Sequence, residues 1–317
     1  MKLRMALMTV SLSLSAAFVL TLFCACTFAQ TTGHEVPLRI AITFDDLPAQ
    51  GSLPAGTTRI KIAFKILEVL HNAAVPPTYG FMNGLATERQ PADFAVLEAW
   101  RAAAQPLGNH SWSHMNLNSH SLDEFQSDVI QNEALLAQLM KKEDWHWFRF
   151  PFLAEGDTPA KRAGVRSFLS QRGYKIATVT MSFNDYLWTE PYARCKEKND
   201  AKAITAMEES FLSAADESIT YYRGLSHTLY GRDIPYVLLL HIGGFDAEML
   251  PRLLQLYRDR GFQFVTLAEA EVDEFYRNSV DPHLPPAPDM LEAAMAERGL
   301  SLPARVSLAP LLDALCR

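Results

Sequence analysis

The sequence predicts an α/β fold of βα units around a parallel sheet or barrel. From Leu38 onward, short apolar runs alternate with longer amphipathic segments, and several runs are nearly continuous in Ile, Val, Leu or Phe. Strands covered by helices on both faces read this way. In addition, polar residues of catalytic type stand at or just after the ends of these runs, where parallel βα folds place their active sites.

The apolar runs predict strands at 38–44, 78–82, 145–150, 175–180, 236–240 and 263–266, with a weaker one at 106–109. Between them the amphipathic segments predict helices at 59–72, 91–104, 122–141, 159–171, 201–229 and 247–260. Four prolines interrupt regular structure over 281–288. Beyond them a tail carries helix candidates at 290–298 and around 310–315. It is expected to pack on the main domain, because Leu291, Met295, Leu311, Leu312 and Leu315 need burial.

At 317 residues, 49% hydrophobic and 21% charged, the chain is of ordinary globular composition. Its net charge of −7 argues against a nucleic-acid partner, which would need a basic stripe over the phosphates. At the start, Lys2 and Arg4 precede an uncharged stretch from Met5 to Ala29 that ends in Thr27-Phe28-Ala29. This reads as a signal peptide over 1–29, with an uncleaved membrane anchor or lipidation at Cys24 or Cys26 as alternatives. Each places the remaining chain in the periplasm or outside the cell. The expected organisation is then a catalytic domain at 30–280, with a helical insertion at about 189–233, and a tail at 281–317. Cleavage would leave Cys195 and Cys316, and the sequence leaves open whether they pair or stay free.

Seven residues at five places along the chain carry chemistry. Asp45 and Asp46 follow the first run, His110 and His114 follow the weak one, Arg149 ends the third, Asp185 follows the next, and His241 ends Val237-Leu238-Leu239-Leu240. The i, i+4 spacing of His110 and His114 on a helical turn would let both grip one metal ion. Ser111 stands where a zincin has its general-base Glu, so a carboxylate must come from elsewhere. Asp45-Asp46 is the obvious supplier, one side chain for the metal and the other for water. Plainer readings stay open for each group alone: surface histidines, a turn-capping Asp pair, an Arg with a snorkelling stem, a structural His.

Together the segments resemble the polysaccharide deacetylase family, or NodB-homology domain. Its motifs T-F-D-D, H-[ST]-x-x-H, R-x-P-[YF], a D-W element and L-x-H stand here in order. They are Thr43-Phe44-Asp45-Asp46, His110-Ser111-Trp112-Ser113-His114, Arg149-Phe150-Pro151-Phe152, Asp185-Tyr186 and Leu239-Leu240-His241. The resemblance covers roughly residues 38–271. It implies an irregular (β/α) barrel and one divalent metal, zinc foremost or else cobalt, nickel or manganese, held by Asp46, His110 and His114. It further implies Asp45 as general base, Arg149 as its partner, His241 as general acid and Asp185 as that acid's partner. The backbone N–H of Phe152 would join the oxyanion hole.

The chemistry implied is release of acetate from an N-acetylated polysaccharide or oligosaccharide. Tyr186 stands where the family has Trp, and Trp188 is expected to fill that space or the groove wall differs. The insertion before His241 either reshapes the groove or packs as a shielding helix. Hydrolysis of another amide or imide on the same fold, and carbohydrate binding without catalysis, are the competing functions.

Overall fold

The computed structural model describes residues 37–288 and 290–317. The expected signal peptide, anchor and lipidation sites at 1–29 lie outside the described residues. Among those described, no helix is long and apolar enough to cross a membrane.

The chain runs β1 (Leu38–Leu47), α1 (Arg59–Asn72), β2 (Tyr79–Met82), α2 (Leu85–Arg89), α3 (Phe94–Ala102), β3 (Leu107–Asn109), α4 (Leu122–Met140), β4 (Trp147–Phe148), α5 (Pro159–Gln171) and β5 (Lys175–Ile176). It continues through α6 (Thr189–Glu197), α7 (Ala201–Tyr230), β6 (Tyr236–His241), α8 (Gly244–Asp259), β7 (Phe262–Val265), α9 (Leu267–Ala270), α10 (Arg277–Val280), α11 (Leu291–Glu297) and α12 (Ala309–Ala314). All pairings are parallel, in the order β5-β4-β3-β2-β1-β6, with β7 also on β1. The segment after β5 leaves β4 and reaches β6, where Met181 bridges Leu238. The sheet is therefore a curled parallel half-barrel, the irregular (β/α) architecture expected.

Local chemistry explains the boundaries. Thr58 caps α1, Thr158 caps α5 just ahead of Pro159, and Ser121 forms a reciprocal capping box with Glu124 at α4. Gly231 closes the 30-residue α7 in the left-handed conformation. Two strands are shorter than their apolar runs. β4 stops at Phe148 because Arg149 and Phe150 turn toward the barrel mouth and Pro151 has no N–H to give a neighbour. β5 stops at Ile176 because the chain there crosses to β6. Conversely, α8 begins at Gly244, three residues ahead of expectation, and takes Asp246 into its first turn.

The main core surrounds β1, whose Ile40, Ala41, Ile42 and Phe44 are buried. A second cluster, including Phe125, Phe148, Phe150, Leu169 and Tyr174, fills the space under β4 and β5. The long helix of the insertion packs on the domain. α7 buries Met207, Phe211, Ala215, Ile219 and Leu225 and contacts α6 and α8.

In the tail, α11 rests on α7 and α12 on α6, burying Leu291, Met295 and Leu312, with Leu315 partly covered. Leu311 corrects the expectation, being 59% exposed, because α12 is a short helix with one face on the domain. A disulfide joins Cys195 of α6 to Cys316, with 5.2 Å between Cα atoms. Arg194 adds hydrogen bonds to the carbonyls of Asp313 and Leu315.

Candidate metal and acid–base site

β1 ends in an irregularity between Phe44 and Leu47 where it pairs β2, and Asp46 there has φ +63°. The kink points Asp45 and Asp46 in different directions. Asp45 lies across from His241 in the β1–β6 register. Its carboxylate, 2% exposed, accepts from Arg149 Nη1 at 3.1 and 3.2 Å.

Arg149 is itself buried and fully engaged. Nε donates to the Ala177 carbonyl (2.7 Å), Nη2 to Thr43 Oγ1 (3.2 Å), and the guanidinium sits 4.7 Å over the Phe81 ring. Burial raises the Asp45 carboxyl more than Arg149 and His241 lower it, and with Asp46 adding repulsion it is pushed up to about 6.

His110 and His114 do not share a helical turn. They stand on a loop after β3 in which Ser111 (φ +60°) and His114 (φ +57°) are left-handed. Its shape is set by polar side chains. Asn109 accepts from Ser111 N–H, Asp128 accepts from Ser113 N–H, and the Asp128 carbonyl accepts from Trp112 N–H. Gly84 is required beneath it, since a Cβ there would strike the Trp112 ring.

The loop brings His110 Nε2 to 3.5 Å and His114 Nε2 to 3.3 Å from Asp46 Oδ1. Ligand atoms of the three residues all lie within 4.8 Å of one another. His110 Nδ1 meets the Arg149 carbonyl at 2.7 Å. A carbonyl only accepts, so Nδ1 carries the hydrogen and Nε2 offers its lone pair toward Asp46. Burial, with His114 nearby, holds His110 well below the ordinary imidazole range, and burial also lowers His114 against the pull of Asp46.

His241, at the end of β6, has the reverse character. Asp185 takes its backbone N–H at 2.6 Å and faces its Nδ1 at 3.0 Å. Burial alone would lower this imidazole. The Asp185 charge and hydrogen bond, backed by Asp46 and Asp45, outweigh burial and raise it to about 10.

These groups open onto one cavity of about 340 Å³, also lined by Phe152, Ser182, Asn184 and Tyr186. A hollow of about 990 Å³ between α1 and α3 is larger, but it is an open, mainly apolar surface with none of the strand-end residues. Chemistry therefore concentrates in the smaller cavity. Of the residues singled out in the sequence, Asp45, Asp46, His110, His114, Phe152, Tyr186 and His241 line it, with Arg149 and Asp185 directly behind. Phe152 has φ +58° and is 63% exposed, its ring 4.4 Å from that of His114. Tyr186, 44% exposed, stands edge-on to His241.

Trp188 is a correction. It is fully buried, donates its indole N–H to Ser210 Oγ, and packs against Phe183 and Phe211, so it belongs to the α7 interface and not to the groove. Ser182, Asn184 and two further groups escaped the sequence reading. Gln50 lines the cavity, and Asp246 lies buried behind His241. An acid in a helix's first turn is commonplace, so Asp246 carried no distinguishing signal.

Residues 34–168 match the family model for polysaccharide deacetylase. No curated protein sequence matches the chain. Among solved structures, a CE4 family pseudoenzyme from Bacillus anthracis is 16% identical with a TM-score of 0.52, covering 76% of this chain and 67% of that one. A mutant CE4 family pseudoenzyme with restored enzymatic activity gives 17% identity and a TM-score of 0.51, over 76% and 70%. The Xyl-CE4 domain of a multidomain xylanase from the hindgut metagenome of Trinervitermes trinervoides is 16% identical with a TM-score of 0.50, over 78% and 95%. At these identities the structures share the fold.

Proposed function

We propose that the chain, whose residues 34–168 match the polysaccharide deacetylase model, acts as a member of that family: an exported, metal-dependent N-deacetylase of an N-acetylated glycan. The observation that carries this reading is the trio Asp46, His110 and His114 facing the same cavity as the Asp45–Arg149 and Asp185–His241 pairs.

The trio fits a divalent cation. Asp46 Oδ1 is buried without a hydrogen-bond donor, and both imidazoles are held deprotonated where their Nε2 atoms face it. The Arg149 carbonyl fixes the His110 tautomer, as a partner behind a metal ligand does. A cation bound by these residues supplies Lewis-acid polarisation of the amide carbonyl and favours ionisation of water.

The chain's own groups account for the remaining proton movements. Asp45, kept buried but ionisable by Arg149, takes the proton of the attacking water. The Phe152 backbone N–H donates to the oxyanion that forms on the former carbonyl oxygen. His241, held protonated and oriented by Asp185, delivers its Nε2 proton to the departing amine nitrogen. Water and acetamide become acetate and a free amine. The Cys195–Cys316 bridge suits an oxidising compartment, which supports the export reading of the N-terminal stretch.

The test is acetate release from peptidoglycan, chitin oligomers and acetylated xylan, with and without chelator. Release that chelator abolishes and added metal restores is expected on the N-acetylated substrates. Chelator-insensitive release would overturn the metal assignment. Binding to these glycans with no release by the metal-loaded protein would overturn the enzymatic one.

A further inference from the structure

Asp246 is 2% exposed and serves none of the steps above. Neither of its carboxyl oxygens meets a donor from another residue, and only its own backbone N–H lies near them. An ionised carboxylate buried with so little hydrogen bonding is strongly disfavoured. The group it does meet is a second carboxyl, that of the fully buried Asp185. Two carboxylates share a hydrogen bond only when one carries a proton. Asp185 already faces the backbone N–H and Nδ1 of His241, both donors, so the proton belongs on Asp246.

The surroundings leave Asp246 little choice. Its Oδ2 packs so closely on Gly243 that a Cβ there would collide with it. The same point lies 2.9 Å from Thr189 Oγ1 and 3.2 Å from Gln50 Oε1. Thr189 gives its hydroxyl hydrogen to Gln50, so it has none for Asp246. The titratable groups that face Asp246 are Asp185, from the turn before α6, and His241, from β6. From the β1–α1 loop and α6, the neutral Gln50 and Thr189 share with Asp246 the space beside Gly243.

We propose that Asp246 is a positioning residue: a neutral carboxylic acid that donates to Asp185 and so keeps the Asp185 carboxylate on His241 Nδ1. Burial first, then the Asp185 charge, push its carboxyl well above the ordinary range. His241, Asp185 and Asp246 thus form a chain of three, of which only His241 reaches the cavity. The kinetic consequence rests on the deacetylase reading, whereas the protonation does not.

Two variants test it. Asp246→Asn keeps shape and a donor while removing the titratable group, and Asp246→Leu removes the donor. In the infrared difference between native protein and Asp246→Asn, a protonated-carboxyl C=O band is expected near neutral pH. Asp246→Asn should hold kcat within about twofold and leave the alkaline limb of the pH–rate profile in place. Asp246→Leu should lower kcat by about 10–100-fold with little change in KM.

The sign of any shift decides the charge state. Were Asp246 an anion, it would raise the proton affinity of His241, and Asn would move the alkaline limb to lower pH. That shift, or absence of the infrared band, overturns the proposal. Should Asp246→Leu fail to fold, the native and Asn proteins still decide it. If the band is present but no glycan is deacetylated, the deacetylase reading fails while the proton stays assigned to Asp246.

Discussion

The half of the chain up to residue 168 and the half after it each place a histidine at the cavity, and the two behave in contrary ways. The His110 side chain is 2% exposed and that of His241 13%, and burial lowers the proton affinity of both. His110 sets its Nδ1 against a neutral carbonyl, that of Arg149, and its neighbours are a second imidazole and a guanidinium. His241 sets its Nδ1 against the Asp185 carboxylate, with Asp46 and Asp45 adding to the pull. One ring is thereby made a neutral ligand and the other a proton carrier. The charge of the partner behind the ring decides its role, more than burial does.

The largest effects should come from breaking each histidine in turn. His110→Ala removes a ligand and should take bound metal from one equivalent to near none, with acetate release falling to background. His241→Ala should keep the metal and lower kcat by about 10²–10⁴-fold, the usual contribution of a positioned proton donor. Metal analysis beside the rate assay separates the two. If His241→Ala also lost its metal, the division of labour between the halves would be wrong.

A smaller effect sharpens the same contrast. In the native protein the base must be ionised and the acid protonated. Activity is therefore lost as pH falls through about 6, where Asp45 takes a proton, and lost again as pH rises through about 10, where His241 gives one up. A cation held beside His241 would pull the upper limit down. Asp185→Asn removes the charge that opposes burial, so the alkaline limb should move to lower pH while the acid limb stays. At neutral pH kcat should drop by about 10–100-fold. An unmoved alkaline limb would show that Asp185 does not govern His241.

How far the site was legible follows from whether its parts are contiguous in the chain. Asp45-Asp46, His110 through His114 and Arg149 to Phe152 are short motifs, each readable within five residues. α1 and α5 were legible to the residue as amphipathic segments, and the structure shows why they start where they do, since Thr58 and Thr158 cap them. Short strands misled, since an apolar run does not reveal where a curling sheet lets go of its neighbour. Spacing alone could not tell that Trp188 turns inward while Tyr186 turns out. Nor could i, i+4 spacing reveal that two left-handed residues, rather than a helix, bring His110 and His114 together. Asp246 was illegible because its meaning comes from contact with Asp185, in a different element of the fold.

The smallest expected effect on catalysis separates the site from the clamp that frames it. Cys195 and Cys316 are 121 residues apart, and their bridge fastens the chain's end to α6. α6 in turn touches the β1–α1 loop, where Glu190 accepts from Ser52 N–H and Thr189 donates to Gln50. A cross-link over so long a loop restricts the unfolded chain, and its loss costs about 2–4 kcal/mol of stability. Cys316→Ser should therefore lower Tm by several degrees while leaving kcat, metal content and both limbs of the pH profile unchanged. Arg194 still holds the carbonyls of Asp313 and Leu315, so the tail should stay docked in the folded state. A fall in kcat at temperatures well below Tm would mean that the clamp, through α6 and Gln50, sets the shape of the cavity itself.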